Sequence, residues 1–499
     1  MIFESLRRRP ALLVAILGCY FLIEVAVRLS IRGSMGLDEA EQIFLSQWFA
    51  PGYNSQPPFY NWLQYGVISV LGVSIFSLAL MKNAMLFASY VLYWLAARLV
   101  IKDRSLAAIA MLGLLTIPQI SFEAQRDLTH TVATIFAAAA FLYALFRTLK
   151  HPSGFSYALT GLAIGVGLIS KYNFALLPAA ALLAILLDKD FRARLLDWRL
   201  VLTAVVVLIV VTPHLLWLTD NLDLATERTR EKMGNGDSTS LITQIAWGLV
   251  SLIESIAGFC AVTVAVFALA FREVVPSAGR STGQMIRLVE RMMAIGLGFI
   301  VLLIVFAGTE NVMDRWLTPL LTVLPIYLCL RLDGAGAKIA NGFGRMVAAS
   351  AVIMVVVPAI LFARVTTVGW TGNYQWQNQP FQGLVQTITT ELGHVPAVVV
   401  TVDPYTAGNM RLHLPSVPVI AVSHANFTLP YDWSKDRPIL FVWQQRNAPP
   451  PPFPAGLQTW LDEHGGNGRV PEMRIVHLPY VYGAVGDQRA IAYAWIYPE

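Results

Sequence analysis

The chain has 499 residues, and 36 Lys and Arg against 31 Asp and Glu leave a formal charge of +5. Hydrophobic residues make up 56%, charged residues only 13%, and the mean hydropathy is +0.58. A single soluble core cannot absorb that much apolar surface at this length, so a disordered chain, a fibrous chain and an ordinary cytosolic enzyme are excluded. The composition points instead to a polytopic α-helical membrane protein.

Apolar runs begin at Ala11–Ser30 and recur near Ile75–Ile101, Ser105–Pro118, Leu128–Leu149, Phe155–Ser170, Asn173–Leu187, Val201–Leu218, Leu241–Phe271, Met293–Gly308, Trp316–Leu332 and Val347–Ala363. A span needs about 20 mostly apolar residues, which gives about eleven transmembrane helices. Arg7, Arg8 and Arg9 precede the first run, but the run is too long for a signal peptide and lacks a small-residue cleavage site after Arg28, so it reads as an uncleaved span. Lys102, Arg104, Arg147, Lys150, Lys189, Arg192, Arg194, Arg199, Arg272, Arg280, Arg287, Arg291, Lys338 and Arg345 fall in alternate loops, which places those loops and the N-terminus in the cytoplasm. Arg228, Arg230 and Lys232 are the exception among the outer loops. Cys19, Cys260 and Cys329 all lie in apolar runs with no CxxC spacing, so they are packing residues rather than a disulfide framework or zinc site.

The first outer loop, residues 31–75, is too long for a connector. Asp38, Glu39 and Glu41 open one short helix, Pro51-Gly52 ends it, and Pro57-Pro58 starts a second amphipathic stretch, Phe59–Val70, carrying Tyr60, Trp62 and Tyr65. Such aromatic density suits a membrane–water interface. After Arg364 the composition turns polar. Val398–Val402, Val417–Val422, Ile439–Trp443 and Ala490–Ile496 are strand candidates, Tyr405–Leu414 a helix, and Pro449–Pro452 a polyproline turn. The expected organisation is a transmembrane catalytic domain over residues 1–364 and a small α/β domain over 365–499 on the outer face.

Ionisable residues gather at the outer edge of the spans. Lys82 lies inside the second run, Arg126, Asp127 and His130 at the start of the fourth, Lys171 in a short outer turn, and Glu310, Asp314 and Arg315 in a later one. Asp38 and Glu39 alone also suit a helix N-terminus, where the backbone dipole favours acids. Arg126 or Arg315 alone also suits a snorkelling side chain. Charges at a membrane edge are costly, and several on one face point to function. Carboxylates there can activate a hydroxyl, and Lys and Arg can hold a phosphate leaving group, which fits group transfer from a lipid phosphate. There is no GxxxxGK[ST] or HExxH motif, and no GxSxG at a strand–helix turn. A lipid-linked-sugar transporter or flippase would instead carry charges near the midplane in paired halves. A membrane-anchored scaffold would tolerate loss of Asp38.

The run Leu37-Asp38-Glu39-Ala40-Glu41, followed by Gln56-Pro57-Pro58-Phe59-Tyr60-Asn61-Trp62-Leu63, resembles the first outer loop of bacterial GT-C glycosyltransferases. Within them it is similar to the branch of protein O-mannosyltransferases, lipid A aminoarabinose transferases and rhizobial lipopolysaccharide galacturonosyltransferases. Lys82, Asp127, Ser170-Lys171-Tyr172, Asp314-Arg315-Trp316-Leu317-Thr318-Pro319 and Val400–Pro415 follow that family's order. The chain departs from the aminoarabinose transferases at Gln56, where they carry a basic residue, and at Asp38-Glu39-Ala40-Glu41. The resemblance implies a GT-C fold and a polyprenyl-phosphate sugar donor. It implies inverting transfer to a hydroxyl of lipid A, lipopolysaccharide core, protein or another envelope glycan, outside the inner membrane, with galacturonic acid the preferred sugar. It implies Asp38 as base, Glu39 supporting it, and Asp127 as a second acid. Lys82, Lys171, Arg315 and Arg126 become donor-phosphate contacts, and Gln56, Tyr60, Trp62, His130 and Glu310 line the substrate. No residue set demands a metal, although some members of the family hold a divalent ion near the site.

Overall fold

In the computed structural model of the chain, residues 2–226, 240–336 and 340–498 are described, apart from positions 394, 425, 447 and 467. Arg228, Arg230, Lys232 and Lys338 of the charge pattern lie outside the described residues.

Among the described residues seven helices are long and apolar enough to cross a membrane: Ala11–Ser30, Ile75–Val100, Thr129–Lys150, Leu200–Asp220, Leu241–Ala270, Gln284–Ala307 and Ala340–Thr366. Arg104–Thr116 and Gln119–Arg126 form a pair bent by 69°, which makes eight if the pair counts as one span. The bend falls at Ile117-Pro118: Ile117 is extended (φ −91°, ψ 110°), as the residue before a proline prefers. The apolar runs near Phe155 and Asn173 form the shorter helices Gly154–Leu168 and Tyr172–Leu186. The run Trp316–Leu332 is split into Thr318–Leu321 and Leu324–Gly334, each with a proline in its first turn. By length and composition the described helices give seven or eight spans beside the eleven runs, because the runs near Phe155, Asn173 and Trp316 form helices shorter than the 20-residue requirement.

The chain forms two compact units. The first comprises Met1–Glu24, Ala50–Tyr60 and Lys82–Val357. Its helices approach closely where side chains are small. A Cβ on Gly161 would stand 2.5 Å from the Thr203 carbonyl oxygen, and one on Gly165 would stand 2.8 Å from Val210 Cβ. These glycines let Gly154–Leu168 lie directly on Leu200–Asp220, as small residues do between apolar helices.

The second unit comprises Val25–Phe49, Asn61–Met81 and Pro358–Glu499. It holds one five-stranded sheet of β1 (Val398–Thr401), β2 (Val419–Ala421), β3 (Ile439–Trp443), β4 (Arg474–Pro479) and β5 (Gln488–Ile496), in the order β2-β1-β3-β5-β4. β1 is parallel to both β2 and β3, whereas β5 is antiparallel to β3 and β4. Every residue of β1 and β3 is buried, which is why they read as unbroken apolar runs. Phe441, Trp443, Leu457 and Trp460 form the core of one face, and the Trp443 indole donates to the Pro451 carbonyl at 2.9 Å. β4 was not anticipated: its side chains are mostly exposed, so it carries little hydrophobic signal. The two short helices expected in the first loop are present as Leu37–Leu45 and Phe59–Leu71.

Candidate active site

In the second unit the Leu37–Leu45 helix starts from Gly36, which is extended (φ −70°, ψ 175°). Glu39 turns back and accepts the Gly36 N–H at 3.1 Å. Its carboxylate is also gripped by Arg28, from the last turn of Ala11–Ser30, through Nε at 3.0 Å and Nη2 at 2.7 Å. Glu39 is 4% exposed, so both oxygens are used in holding the helix start. Asp38 lies in the same first turn but is only half-buried, within the favourable field of the helix N-terminus. Trp62 packs against Phe49 with ring centroids 5.8 Å apart, and Tyr65 joins them at 5.4 Å. Gln42 and Asn61 link the two loop helices through a 3.1 Å amide bond.

In the first unit two lysines converge on the start of the Thr129–Lys150 helix. Lys82 is 4% exposed and donates from Nζ to the Asp127 carbonyl at 2.9 Å. Lys171 donates from Nζ to Thr131 Oγ1 at 3.2 Å. Between those acceptors the chain turns through Leu128, whose φ of 52° and ψ of 55° are left-handed. That conformation is rare for a bulky residue, and such strain persists only where packing holds it. It allows the Asp127 carbonyl to face Lys82 while a new helix begins two residues later. His130 lies against Tyr60, ring centroids 6.0 Å apart, and both are buried. The backbone N–H of Phe59 donates to the Ile169 carbonyl at 2.9 Å. Two ammonium groups beside the positive end of a 22-residue helix make a site suited to an anion.

Beside this lies a cleft of about 520 Å³ whose wall includes Arg126, Arg315, Glu123, Glu254 and Asp314. Arg126 is paired with Glu123 at 2.7 Å. Arg315 directs Nη2 to the Met313 sulfur at 2.9 Å, and its N–H donates to Asp314 Oδ1 at 2.7 Å. Gln119 Nε2 holds the other Asp314 oxygen at 2.7 Å. Glu310 borders an adjoining cleft of about 370 Å³ with Trp247 and Glu254. Glu123 and Glu254 were missed by sequence reasoning. Glu254 sits inside the Leu241–Ala270 helix, and an acid within an apolar span was the available signal. Gln56 is half-buried and its N–H donates to Asn54 Oδ1 at 2.9 Å; no described hydrogen bond ties its side chain to the other candidates.

Among the described residues no three His, Cys, Asp or Glu side chains come together as a metal-holding group.

A family model described as dolichyl-phosphate-mannose-protein mannosyltransferase matches residues 55–217. Over 493 residues, 99% of both chains, the sequence is 46% identical to the lipopolysaccharide core galacturonosyltransferase RgtB of Rhizobium johnstonii. It is 42% identical over 491 residues, 97% of both chains, to the lipopolysaccharide core galacturonosyltransferase RgtA of the same organism. Its fold is similar to that of ArnT from Cupriavidus metallidurans bound to undecaprenyl phosphate, with a TM-score of 0.59 and 16% identity over 96% of this chain and 97% of that one. The apo structure of the same ArnT gives a TM-score of 0.59 and 16% identity over 97% and 98%. With near-complete coverage at 46% and 42% identity, and a GT-C fold of ArnT type, the chain is a membrane-embedded glycosyltransferase of the family that contains RgtA and RgtB.

Proposed function

We propose that this transferase moves galacturonic acid from a polyprenyl-phosphate carrier to a hydroxyl of the lipopolysaccharide core, at the outer face of the inner membrane. The sugar and acceptor are inferred from RgtB and RgtA, which resemble the chain over nearly its whole length. The carrier is inferred from the undecaprenyl phosphate bound by the ArnT of the same fold. The orientation rests on the Lys and Arg bias of the loops. The observation that carries the reading is the pair Lys82 and Lys171 bonded to residues 127 and 131, on either side of a helix start.

In this mechanism the donor phosphate sits on Lys82 and Lys171, with Arg315 and Arg126 as further cations. Asp38 accepts the proton of the acceptor hydroxyl. The freed oxygen attacks the anomeric carbon from the face opposite the phosphate, forming the glycosidic bond as the bond from that carbon to the phosphate oxygen breaks. The configuration inverts, and the added negative charge on the leaving polyprenyl phosphate is stabilised by the lysines and the helix start. Glu39 holds the base-bearing helix and does not itself take the proton, because Arg28 and Gly36 occupy its carboxylate. Asp127 contributes its carbonyl to Lys82.

The test is mass spectrometry of lipid A and core from cells expressing the chain, wild type beside Asp38→Asn. A hexuronic acid increment present with wild type and absent with the variant is expected. A different sugar increment would overturn galacturonic acid, and a hexose on protein would favour the mannosyl transfer suggested by the description of the matched family. An increment surviving Asp38→Asn would remove Asp38 as the base.

A further inference from the structure

The Leu37–Leu45 helix has nine residues, too few to hold its geometry unaided. Its packing partner within the second unit is the Pro404–His413 helix, which follows β1. That helix is firmly started: Asp403 accepts from the Thr406 N–H at 2.9 Å and from its hydroxyl at 3.0 Å. Burial raises the Asp403 carboxyl above its ordinary range.

Contacts at three levels run from the Pro404–His413 helix to the Leu37–Leu45 segment. At the start, the fully buried Asn409 accepts the Met35 N–H on Oδ1 at 2.8 Å, and its own Nδ2 donates to the Tyr405 carbonyl at 2.9 Å. In the middle, Gly408 lies against Ala40, where an added Cβ would stand 1.9 Å from the Ala40 carbonyl oxygen. No residue but glycine fits that approach without moving the helix. At the end, Arg411 is 9% exposed and donates from Nη1 to the Ile43 carbonyl and to Ser46 Oγ, the latter at 2.8 Å. It satisfies a carbonyl left open by the helix terminus and places a cation at the negative end of the dipole. Burial lowers its guanidinium to about 10. Beyond the helix, Gln47 exchanges two hydrogen bonds with the backbone of Val419 in β2, at 2.9 and 3.0 Å.

We propose that the C-terminal α/β domain is the positioning scaffold of the transfer reaction, with Arg411 and Gly408 as positioning residues that set the direction of the Asp38 carboxylate. This rests on Asp38 being the base. Contacts at the start, middle and end of one short helix leave it neither rotation nor translation, and a displacement of about 1 Å at a reacting group costs on the order of 10²-fold in rate.

The test uses the purified full chain in lipid nanodiscs with a polyprenyl-phosphate galacturonic acid donor. Arg411→Met and Gly408→Ala are compared with wild type for kcat, donor KM and amide hydrogen exchange. The expected result is a fall in kcat on the order of 10²-fold, with donor KM held within about twofold. Exchange should quicken in peptides covering residues 35–47 and remain unchanged in Thr129–Lys150. Arg411→Lys, which keeps a cation with N–H donors, should recover part of kcat, and it carries the same test if the other two variants do not yield monodisperse protein. Unchanged kcat in a folded variant, a kcat loss without faster exchange at 35–47, or a loss matched by a rise in donor KM would overturn the proposal. Asp38→Asn is assayed alongside. Normal turnover there overturns the base assignment, whereas normal turnover in the Arg411 and Gly408 variants overturns only the positioning.

Discussion

Arg28 grips Glu39 through two parallel bonds and leaves Asp38, one residue earlier in the same turn, half-buried. The pair is largely desolvated, with side-chain exposures of 15% and 5%. Breaking a buried ion pair from one side typically costs about 3–5 kcal/mol. Glu39→Gln is therefore expected to lower the unfolding midpoint in detergent, whereas Asp38→Asn should leave that midpoint unchanged and abolish turnover. Equal midpoints for the two variants would contradict this division of roles. At the proposed phosphate site, Lys82→Met should reduce kcat by about 10²–10³-fold, the usual effect of losing one preorganised donor, in a protein that still purifies folded. The acid pair was legible as a motif because Asp38 and Glu39 stand together after a span. The resemblance implied Asp38 as base and Glu39 as its support, but the grip of Arg28 on Glu39 was not legible, because Arg28 belongs to the preceding apolar helix.

Helices and strands follow their local signals where one face is buried. β1 and β3 show as β-branched and aromatic runs, and the Pro404–His413 helix begins at Asp403-Pro404, an acid cap followed by proline. β4, exposed along most of its length, gave no such signal. β2 is an edge strand whose outer N–H and C=O at Val419 are taken by the Gln47 amide. Gln47→Ala leaves both groups unpaired, and about 1–3 kcal/mol of the domain's stability is expected to go, read by hydrogen exchange at β2. At the end of Leu241–Ala270, Glu273 is held by Arg345 through two bonds of 2.7 and 2.8 Å. The Arg345 guanidinium lowers its carboxyl to about 2 from an ordinary 4.5. A carboxylate lowered on folding contributes stability above its unfolded value and loses it as pH falls. The part of the stability that Glu273→Gln removes is expected to be present at neutral pH and to disappear between about pH 4.5 and 2. Melting curves of both proteins across that window check the sign.

On the scale of the whole molecule, Val25–Phe49 is grouped with Pro358–Glu499 although more than 300 residues separate them. A chain ended at Arg364 would keep its apolar spans but leave residues 31–49 without Asn409, Gly408 and Arg411. It is expected to insert in the membrane, to be cut by protease within residues 31–49, and to show no transfer. Protection of that segment in the shortened chain would contradict the grouping.

The sequence by itself determined the membrane class, the order of helices, the charged and aromatic first loop and the family, because hydrophobic periodicity, prolines and short motifs act over a few residues and can be read locally. Tertiary structure decided which residues share a task. Lys82 meets Asp127 across 45 positions, Lys171 meets Thr131 across 40, and Arg411 meets Ile43 across 368. Such partners are joined by side-chain direction and by close approach at a glycine, and the linear spacing of residues carries neither.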